Sequence, residues 1–364
     1  MTPTAASESS TGLKTRIHKP LNVEASFLNP PTPITGVENF YIRDHFPLPK
    51  IDPVAWRLKV GGAVDKPLEL SLADLKAMAV ATHTCVLECA GNGRLFLHNV
   101  PEGVQWGLGA AGCAAWTGVR LRDVLALAGV KAGAVEAVFQ GADHGVADKQ
   151  FKPKGEIHYS RSLPVDVGMR PEVLLAWAMN GDALSSAHGA PVRLVVPGWY
   201  SMAAVKWLTE ITVVERPFLG YFQTVEYTYW AHRAAQGDGL PPERIPIEEL
   251  LVKSQIAHPV MHQEVLAGET CRVHGAAWGG GAGIAKVEVS TDRGATWHGA
   301  DFDGAPEDHA WQLWHWDWKP SRRGKRGLMS RATDAKGNVQ PSQHDEDHES
   351  YMIHHTVSIP VEVV

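Results

Sequence analysis

Residues 84–94 read Thr-Cys-Val-Leu-Glu-Cys-Ala-Gly-Asn-Gly-Arg, and the character of the chain changes at Cys89. The mixed apolar run before Cys89 predicts a buried strand. The Ala-Gly-Asn-Gly that follows predicts a tight turn, and Arg94 then adds a positive charge. Two interpretations of Cys89 are open at this point. It is either a buried structural thiol before a turn or a thiolate directed at a soft partner, with the turn clearing space around it.

Bulk composition limits the classes of protein to consider. A chain of 364 residues is long enough for two domains, and its 44% apolar and 20% charged residues are ordinary for a globular protein. The net charge of −6 argues against a nucleic-acid partner. No window is apolar enough for a membrane span, and the polar amino terminus lacks the apolar core of a signal peptide. We therefore expect a cytoplasmic protein, or a periplasmic one if a leader has been removed.

The four cysteines are too few for a disulfide scaffold in a chain of this size. Cys85 and Cys89 are four residues apart, a spacing that fits neither a redox pair nor a zinc knuckle. Four histidines near the carboxyl terminus also match no metal-cage spacing, and we interpret their segment as an exposed loop that leads into a final strand: His344, His348, His354 and His355.

Short β-like runs alternate with compact helical patterns from Phe40 to about Val213. Residues 72–78 predict a helix with Ser71 as its N-cap and Asp74 completing a capping box. Residues 121–128 predict a helix that ends at Gly129. Residues 192–196 predict a buried strand.

The pattern changes after about residue 240. Prolines mark a linker, and the chain then alternates with period two through residues 286–290, 311–318 and 356–363. About a hundred residues of short strands with regular turns are typical of an immunoglobulin-like β-sandwich. Trp314, Trp316 and Trp318 share one face of a predicted strand, where they are most simply core or interface residues.

Several segments, in order, resemble the sulfite oxidase family of molybdopterin-dependent oxidoreductases, in its haem-free bacterial form. The likeness covers nearly the whole chain from about residue 38, and it rests on these segments: Tyr41-Ile-Arg-Asp-His-Phe-Pro, Cys89-Ala-Gly-Asn, Gln105-Trp-Gly, Ala115-Trp-Thr-Gly, Met179-Asn-Gly-Asp, His188-Gly-Ala-Pro-Val-Arg, Val205-Lys-Trp, Glu226-Tyr, Val289-Ser-Thr-Asp-Arg-Gly-Ala-Thr-Trp and Asp334-Ala-Lys-Gly-Asn-Val-Gln-Pro.

The resemblance implies an α+β protein with two domains. An extended arm (residues 1–37) would precede a mixed α/β molybdopterin-binding catalytic domain (residues 38–245). An immunoglobulin-like dimerisation domain (residues 246–364) would follow and close a homodimer. The implied cofactor is molybdenum held by molybdopterin.

The same resemblance assigns residues to roles. Cys89 would be the protein's only ligand to the metal, which answers the question that its position raises, because soft thiolates suit molybdenum. Four residues would face the substrate, with Arg43 meeting an oxyanion: Arg43, Arg94, Trp106 and Tyr227. Eleven would hold the cofactor and its phosphate: Tyr41, Ile42, Arg43, Asp44, His45, Asp143, His188, Arg193, Ala204, Val205 and Lys206.

Two departures lower the positive charge expected near the substrate. Gly93 replaces one arginine of the family motif, and Gln312 stands where the animal enzymes have an arginine. The implied function is oxygen-atom transfer, with sulfite oxidised to sulfate and the electrons passed to an external acceptor such as a cytochrome. Two alternatives stay open: a reductase of sulfoxides or other oxo substrates, and a non-enzymatic binding or assembly protein.

Overall fold

The computed structural model describes residues 22–24, 32–147, 152–232 and 241–364, together with two strands nearer the amino terminus. The predicted extended arm falls largely outside these residues. Its described parts form a three-stranded antiparallel sheet of β1 (Ser7–Glu8), β2 (Lys14–His18) and β3 (Asn22–Glu24). Val23 in β3 exchanges two backbone hydrogen bonds with Ile42. This bridge attaches β3 to the segment that carries Arg43.

Two five-stranded sheets form the first part of the chain. Their strands are β4 (Leu58–Gly62), β5 (Leu68–Leu70), β6 (Val80–Glu88), β7 (Ala111–Arg120), β8 (Glu136–Val146), β9 (Glu156–Pro164), β10 (Leu174–Met179), β11 (Asp182–Ala183), β12 (Arg193–Val195) and β13 (Leu208–Val214). One sheet has the order β11-β10-β7-β6, with β12 also paired to β10, and the other has the order β5-β4-β13-β8-β9. Only the β4–β13 pair within these two sheets is parallel.

Three short helices accompany these sheets: α1 (Leu72–Lys76), α2 (Leu121–Ala128) and α3 (Val165–Gly168). The predicted capping box is present at α1, where the Ser71 hydroxyl accepts from the Asp74 amide and the Asp74 carboxylate accepts from the Ser71 amide. Helix α2 ends at Gly129, which has a φ of 72°. The capping and glycine signals therefore predicted both helices correctly.

Single helical turns connect several strands and carry part of the site. They are the 3₁₀ turns Val37–Asn39, Arg94–Phe96, Ser186–His188, Ser201–Ala203 and Glu346–His348, and the π-helical turn Phe222–Glu226.

The second part of the chain is the predicted β-sandwich, reached through a hairpin of β14 (Thr228–His232) and β15 (Glu243–Pro246). Its strands are β16 (Lys253–His258), β17 (Glu264–Val265), β18 (Cys271–Trp278), β19 (Ile284–Ser290), β20 (His298–Gly299), β21 (Asp301–Asp303), β22 (Gln312–Trp318), β23 (Gly324–Asp334) and β24 (Ile359–Val363). The two sheets have the orders β16-β18-β22-β21 and β17-β24-β23-β19-β20. Trp314 and Trp318 are buried in the sandwich core, as predicted.

One apolar cluster spans the two parts, in addition to the core of the sandwich itself. Trp278 and Trp311 of the sandwich belong to the same buried cluster as Trp199 and Tyr200 of the first part. The architecture is therefore the predicted mixed domain followed by a sandwich, although its helices are few and short. No helix within the described ranges is both long and apolar enough to cross a membrane.

Candidate active site

The turn that follows β6 places Cys89 at the floor of a buried pocket. The Cys89 amide donates to Ala110 O (2.9 Å), and the Asn92 amide donates back to Cys89 O (2.9 Å), which closes the turn. Gly93 has a φ of 96°, a conformation that side chains with a Cβ rarely adopt. Only 6% of Cys89 is exposed. The predicted strand and turn are both present, and the thiol lines the pocket.

Opposing influences act on the Cys89 thiol. Burial raises its pKa, whereas the Arg43 guanidinium, the Gly91 backbone N–H and the Arg94 guanidinium lower it, and the net shift is upward. The free thiol is therefore protonated at neutral pH. A metal ion that binds here would displace this proton, and the nearby cations would help to hold the thiolate that results.

Arg43, His45 and Tyr227 form a hydrogen-bonded row beside Cys89. The Arg43 guanidinium donates to the Asp44 carbonyl, lies 3.4 Å from Asn22 Oδ1 and lies 3.3 Å from His45 Nδ1. Because a guanidinium can only donate, His45 Nδ1 is the acceptor, and its Nε2–H donates to Tyr227 Oη at 2.6 Å. The phenol hydrogen of Tyr227 is then free to donate into the pocket.

The charge states of this row are fixed by its surroundings. Burial lowers the pKa of Arg43, but Tyr227, Cys89, Tyr351 and Glu226 together raise it by more, so that Arg43 stays charged. Burial raises the pKa of Tyr227, which keeps its hydroxyl protonated. The row therefore presents one fixed positive charge and one neutral donor.

The opposite end of the pocket holds buried cations. Lys206 pairs with Asp44 and also donates to Ala187 O (2.9 Å), and burial lowers its pKa to about 8. Arg193 donates to the carbonyls of His188 (3.0 Å) and Ala204 (3.1 Å), and burial lowers its pKa to about 10.

His188 and Asp143, which also line the pocket, do not fully offset these cations. Burial lowers the pKa of His188 to about 4, so the ring is neutral at pH 7. Burial raises the pKa of Asp143 to about 7, so that its carboxyl is only partly ionised there. Three cations therefore line the pocket, namely the buried Arg193 and the half-buried Arg43 and Lys206, and the Asp44 carboxylate is paired with only one of them, Lys206. A buried anion would balance this surplus, because buried charges are stable only when they are compensated. The donor set fits a phosphate-bearing cofactor with a metal at the Cys89 end.

Eleven of the residues predicted for the site line this pocket: Tyr41, Arg43, Asp44, His45, Cys89, Asp143, His188, Arg193, Ala204, Lys206 and Tyr227. Two others act through the backbone behind it. Ile42 pairs with Val23, and the carbonyl of Val205 accepts from the Leu194 amide.

Trp106 and Arg94, which were predicted to face the substrate, do not line the pocket. Trp106 is fully buried behind the pocket, with its ring edge-on to Tyr41 at 6.4 Å. Arg94 donates to Ser350 O (3.1 Å from Nη2) and Val104 O (2.7 Å), and its guanidinium lies 5.5 Å from the ring of Tyr351. Arg94 is close enough to influence Cys89, but its donors are directed at backbone carbonyls.

Sequence reasoning missed several lining residues, of which Tyr159, Ser201 and Trp207 make specific contacts. Tyr159 stacks on His45 at 5.3 Å, and Ser201 accepts a 2.5 Å hydrogen bond from Tyr41. Trp207 lies beneath the Lys206 ammonium at 4.2 Å. Only Trp207 had a sequence signal, since it follows Lys206 directly.

Gln312 does not line the pocket. Its amide donates to the carbonyls of Asp303 (3.1 Å) and Leu313 (3.0 Å), within the β16-β18-β22-β21 sheet of the sandwich. Within the described residues, no group of three His, Cys, Asp or Glu side chains is arranged to hold a metal ion.

Comparisons with known proteins agree with this geometry. Residues 45–222 match the oxidoreductase molybdopterin binding domain, and residues 244–361 match the Mo-co oxidoreductase dimerisation domain. The chain is 37% identical to mitochondrial sulfite oxidase of Rattus norvegicus over 85% of its own length and 57% of that protein's. It is 34% identical to sulfite oxidase of Gallus gallus, over 91% of its own length and 73% of that protein's. The structure superposes on the sulfane dehydrogenase SoxCD of Paracoccus pantotrophus with a TM-score of 0.80 and 26% identity, covering 94% of this chain and 87% of that one.

The fold and the site thus define a molybdopterin-binding domain joined to a dimerisation domain. The chain belongs to the sulfite oxidase family of molybdopterin-dependent oxidoreductases. It spans somewhat more than half the length of the mammalian relatives that it matches.

Proposed function

We propose that this protein oxidises sulfite to sulfate at a molybdenum centre. Sulfite gains one oxygen from water and releases two protons and two electrons in this reaction. Molybdenum held by molybdopterin supplies the two-electron oxygen-transfer chemistry when it is bound. The observation that carries the proposal is the arrangement of Arg43 and Tyr227 around the Cys89 thiol in one buried pocket.

The substrate end of the pocket would bind and orient the anion. Arg43 offers a permanently charged, planar fork that can donate two hydrogen bonds to an oxyanion. Tyr227 would donate its phenol hydrogen, because His45 already donates to the phenol oxygen. Burial of both groups excludes water and strengthens these hydrogen bonds. Cys89 would hold the metal beside them.

The cationic end would hold the cofactor. Lys206 and Arg193 would bind its phosphate with charge-assisted hydrogen bonds. Tyr41 and His188 line the same cavity and would contact the pterin. Asp44 holds the Lys206 ammonium in place through their ion pair.

We also propose that electrons leave to an external carrier, such as a cytochrome, and that the chain forms a homodimer through its sandwich. The match of residues 244–361 to a dimerisation domain supports the dimer. A self-complementary patch on one face of the sandwich would close a C₂ assembly.

A second candidate function is reduction of a neutral oxo substrate such as a sulfoxide. Gly93 and Gln312 lower the positive charge, and Arg94 is directed at backbone carbonyls. Arg43 is then the principal cation at the substrate end, and a neutral substrate would need no further positive charge to bind.

Turnover assays with the purified, molybdenum-containing protein separate the two functions. Sulfite-dependent reduction of ferricyanide or cytochrome c would support oxidation. Sulfoxide-dependent oxidation of a reduced viologen, without any sulfite turnover, would replace the first proposal with the second.

A further inference from the structure

A buried ion pair joins the two domains directly behind Cys89. Glu88 ends β6 and is 1% exposed, and Lys253 begins β16 of the sandwich and is 2% exposed. The Lys253 ammonium donates to Glu88 Oε1 at 2.7 Å. The other carboxylate oxygen, Glu88 Oε2, accepts from Trp278 Nε1 at 2.8 Å. The residue before Cys89 is therefore held by two side chains of the sandwich domain.

Every donor of the ammonium is used. Besides Glu88, Lys253 donates to Ile353 O (2.7 Å) and to Asn92 O (3.3 Å) within the Cys89 turn. The Asn92 side-chain amide donates to Glu88 Oε1 (3.0 Å), and its oxygen accepts from the Ala110 amide (3.1 Å). Lys253 thus connects both ends of the turn, at Glu88 and Asn92, to the sandwich.

Further sandwich groups contact the same turn. The Met352 amide donates to Ala90 O at 2.7 Å, and Ser350 O accepts from Arg94. A Cβ on Gly93 would lie 3.2 Å from the Ile353 side chain. Sandwich groups therefore contact the turn at Glu88, Ala90, Asn92, Gly93 and Arg94, in addition to its hydrogen bonds within the first domain.

We propose that Lys253 and Trp278 are positioning residues for the Cys89 turn and act through the Glu88 carboxylate. The sandwich domain is then part of the support of the metal site, in addition to any role in dimer contacts. The inference rests on the proposed function in one respect, namely that Cys89 binds the metal.

The physical reason is the cost of an unpaired buried charge. Replacing Lys253 by Met leaves the Glu88 carboxylate buried without its cation, and breaking such a pair is strongly destabilising. Opened states of the turn, in which water reaches Glu88, then become less costly relative to the closed state. Because Cys89 follows Glu88 directly, its thiol becomes accessible in the opened state.

The test is the rate at which iodoacetamide alkylates Cys89 in the full-length, cofactor-free protein, followed by peptide mass spectrometry. The variants are Lys253→Met, Trp278→Phe and the charge-free pair Glu88→Gln with Lys253→Met. Val289→Ala, in the sandwich core and far from the turn in sequence, is the matched control for general destabilisation. The half-buried Cys271 provides an internal reference in each sample.

We expect Lys253→Met to accelerate Cys89 alkylation at least about tenfold over wild type. At temperatures equally far below each Tm, it should also react faster than Val289→Ala. Trp278→Phe should increase the rate of Cys89 alkylation by less than Lys253→Met does. In the charge-free pair Glu88→Gln with Lys253→Met, the rate should return most of the way to the wild-type value. Reactivity in Lys253→Met that only matches Val289→Ala would overturn the proposal. If Lys253→Met does not fold, Trp278→Phe serves as the test variant. Cys89 alkylation at the wild-type rate in Trp278→Phe would then overturn the proposal.

This readout needs neither molybdenum nor sulfite. A Cys89→Ser protein whose molybdenum kept the wild-type number of sulfur neighbours in X-ray absorption would refute the metal-ligand assignment and leave the alkylation result intact. Failure of the proposed function and failure of the positioning role are therefore distinguishable.

Discussion

Replacement of Arg43 by Gln is the change that best separates an anionic from a neutral substrate. Arg43 contacts Asp44 O, Asn22 Oδ1 and His45 Nδ1, all of them neutral acceptors. Its charge is therefore available to a ligand in the pocket. Glutamine keeps a hydrogen-bonding side chain of moderate length but removes the charge and the planar fork.

The size of the effect follows from the lost interaction. A hydrogen bond to a charged group contributes about 1.5–3 kcal/mol. If Arg43 binds the oxyanion, kcat/KM for sulfite should fall roughly ten- to a hundred-fold, mainly through a higher KM. The kcat/KM for a neutral sulfoxide should fall much less, because a neutral substrate has no charge for Arg43 to compensate.

The assay measures sulfite kinetics and molybdenum content on the same sample. Arg57→Gln is the matched control, because Arg57 is exposed and donates only to the carbonyls of Val54 and Trp56. Loss of molybdenum together with affinity would mean that Arg43 serves the cofactor. Unchanged sulfite kinetics at full molybdenum occupancy would refute the reasoning.

Three further predictions follow from other parts of the molecule. Lys206→Met should leave Asp44 without its ion-pair partner and lower the molybdenum content of the protein, which elemental analysis measures. A variant that kept full molybdenum content would contradict the assignment of Lys206 to the cofactor phosphate. Burial lowers the pKa values of His354 and His355 to about 4, so the stability that the neutral rings contribute should be lost as the pH falls from about 6.5 to about 4. A scan of Tm against pH measures this, and replacing both rings by Asn should flatten the curve; an equally steep curve would argue against it. Light scattering at micromolar concentration should give the mass of a dimer, and a monomer mass would refute the proposed assembly.

Local signals in the sequence predicted the elements that support the site. The Ser71–Asp74 capping box, the glycine after α2 and the strand that ends before Cys89 all depend on neighbours within a few residues. The period-two alternation likewise identified the sandwich, because one face of each strand is buried.

Contacts between distant segments were beyond sequence reasoning. Nothing near Lys253 indicates that its ammonium is buried against Glu88, 165 residues away. The histidines near the carboxyl terminus were interpreted as lying in an exposed loop that leads into a final strand. The segment is such a loop and leads into β24, but the four histidine side chains are only half-exposed. Their rings pack on one another, with His344 5.9 Å from His355 and His348 5.9 Å from His354. Polar composition predicted full exposure there, whereas contacts among the rings leave each of them half-buried.

The family resemblance predicted most of the residues that line the pocket, but it could not predict how each side chain is oriented. The pocket gathers Arg43, Cys89 and Tyr227 from segments far apart in the chain. Arg94 could not be oriented from sequence, because its direction depends on Ser350 of the second domain.

The most direct test of the account is the metal content and sulfur coordination of the purified protein. Protein from a host that makes molybdopterin should hold about one molybdenum per chain. X-ray absorption should show one fewer sulfur neighbour in Cys89→Ser than in wild type. Cys85→Ser, at a buried cysteine of β6 that does not line the pocket, should keep the wild-type coordination. Stoichiometric zinc without molybdenum, or an unchanged sulfur count in Cys89→Ser, would contradict the central claim.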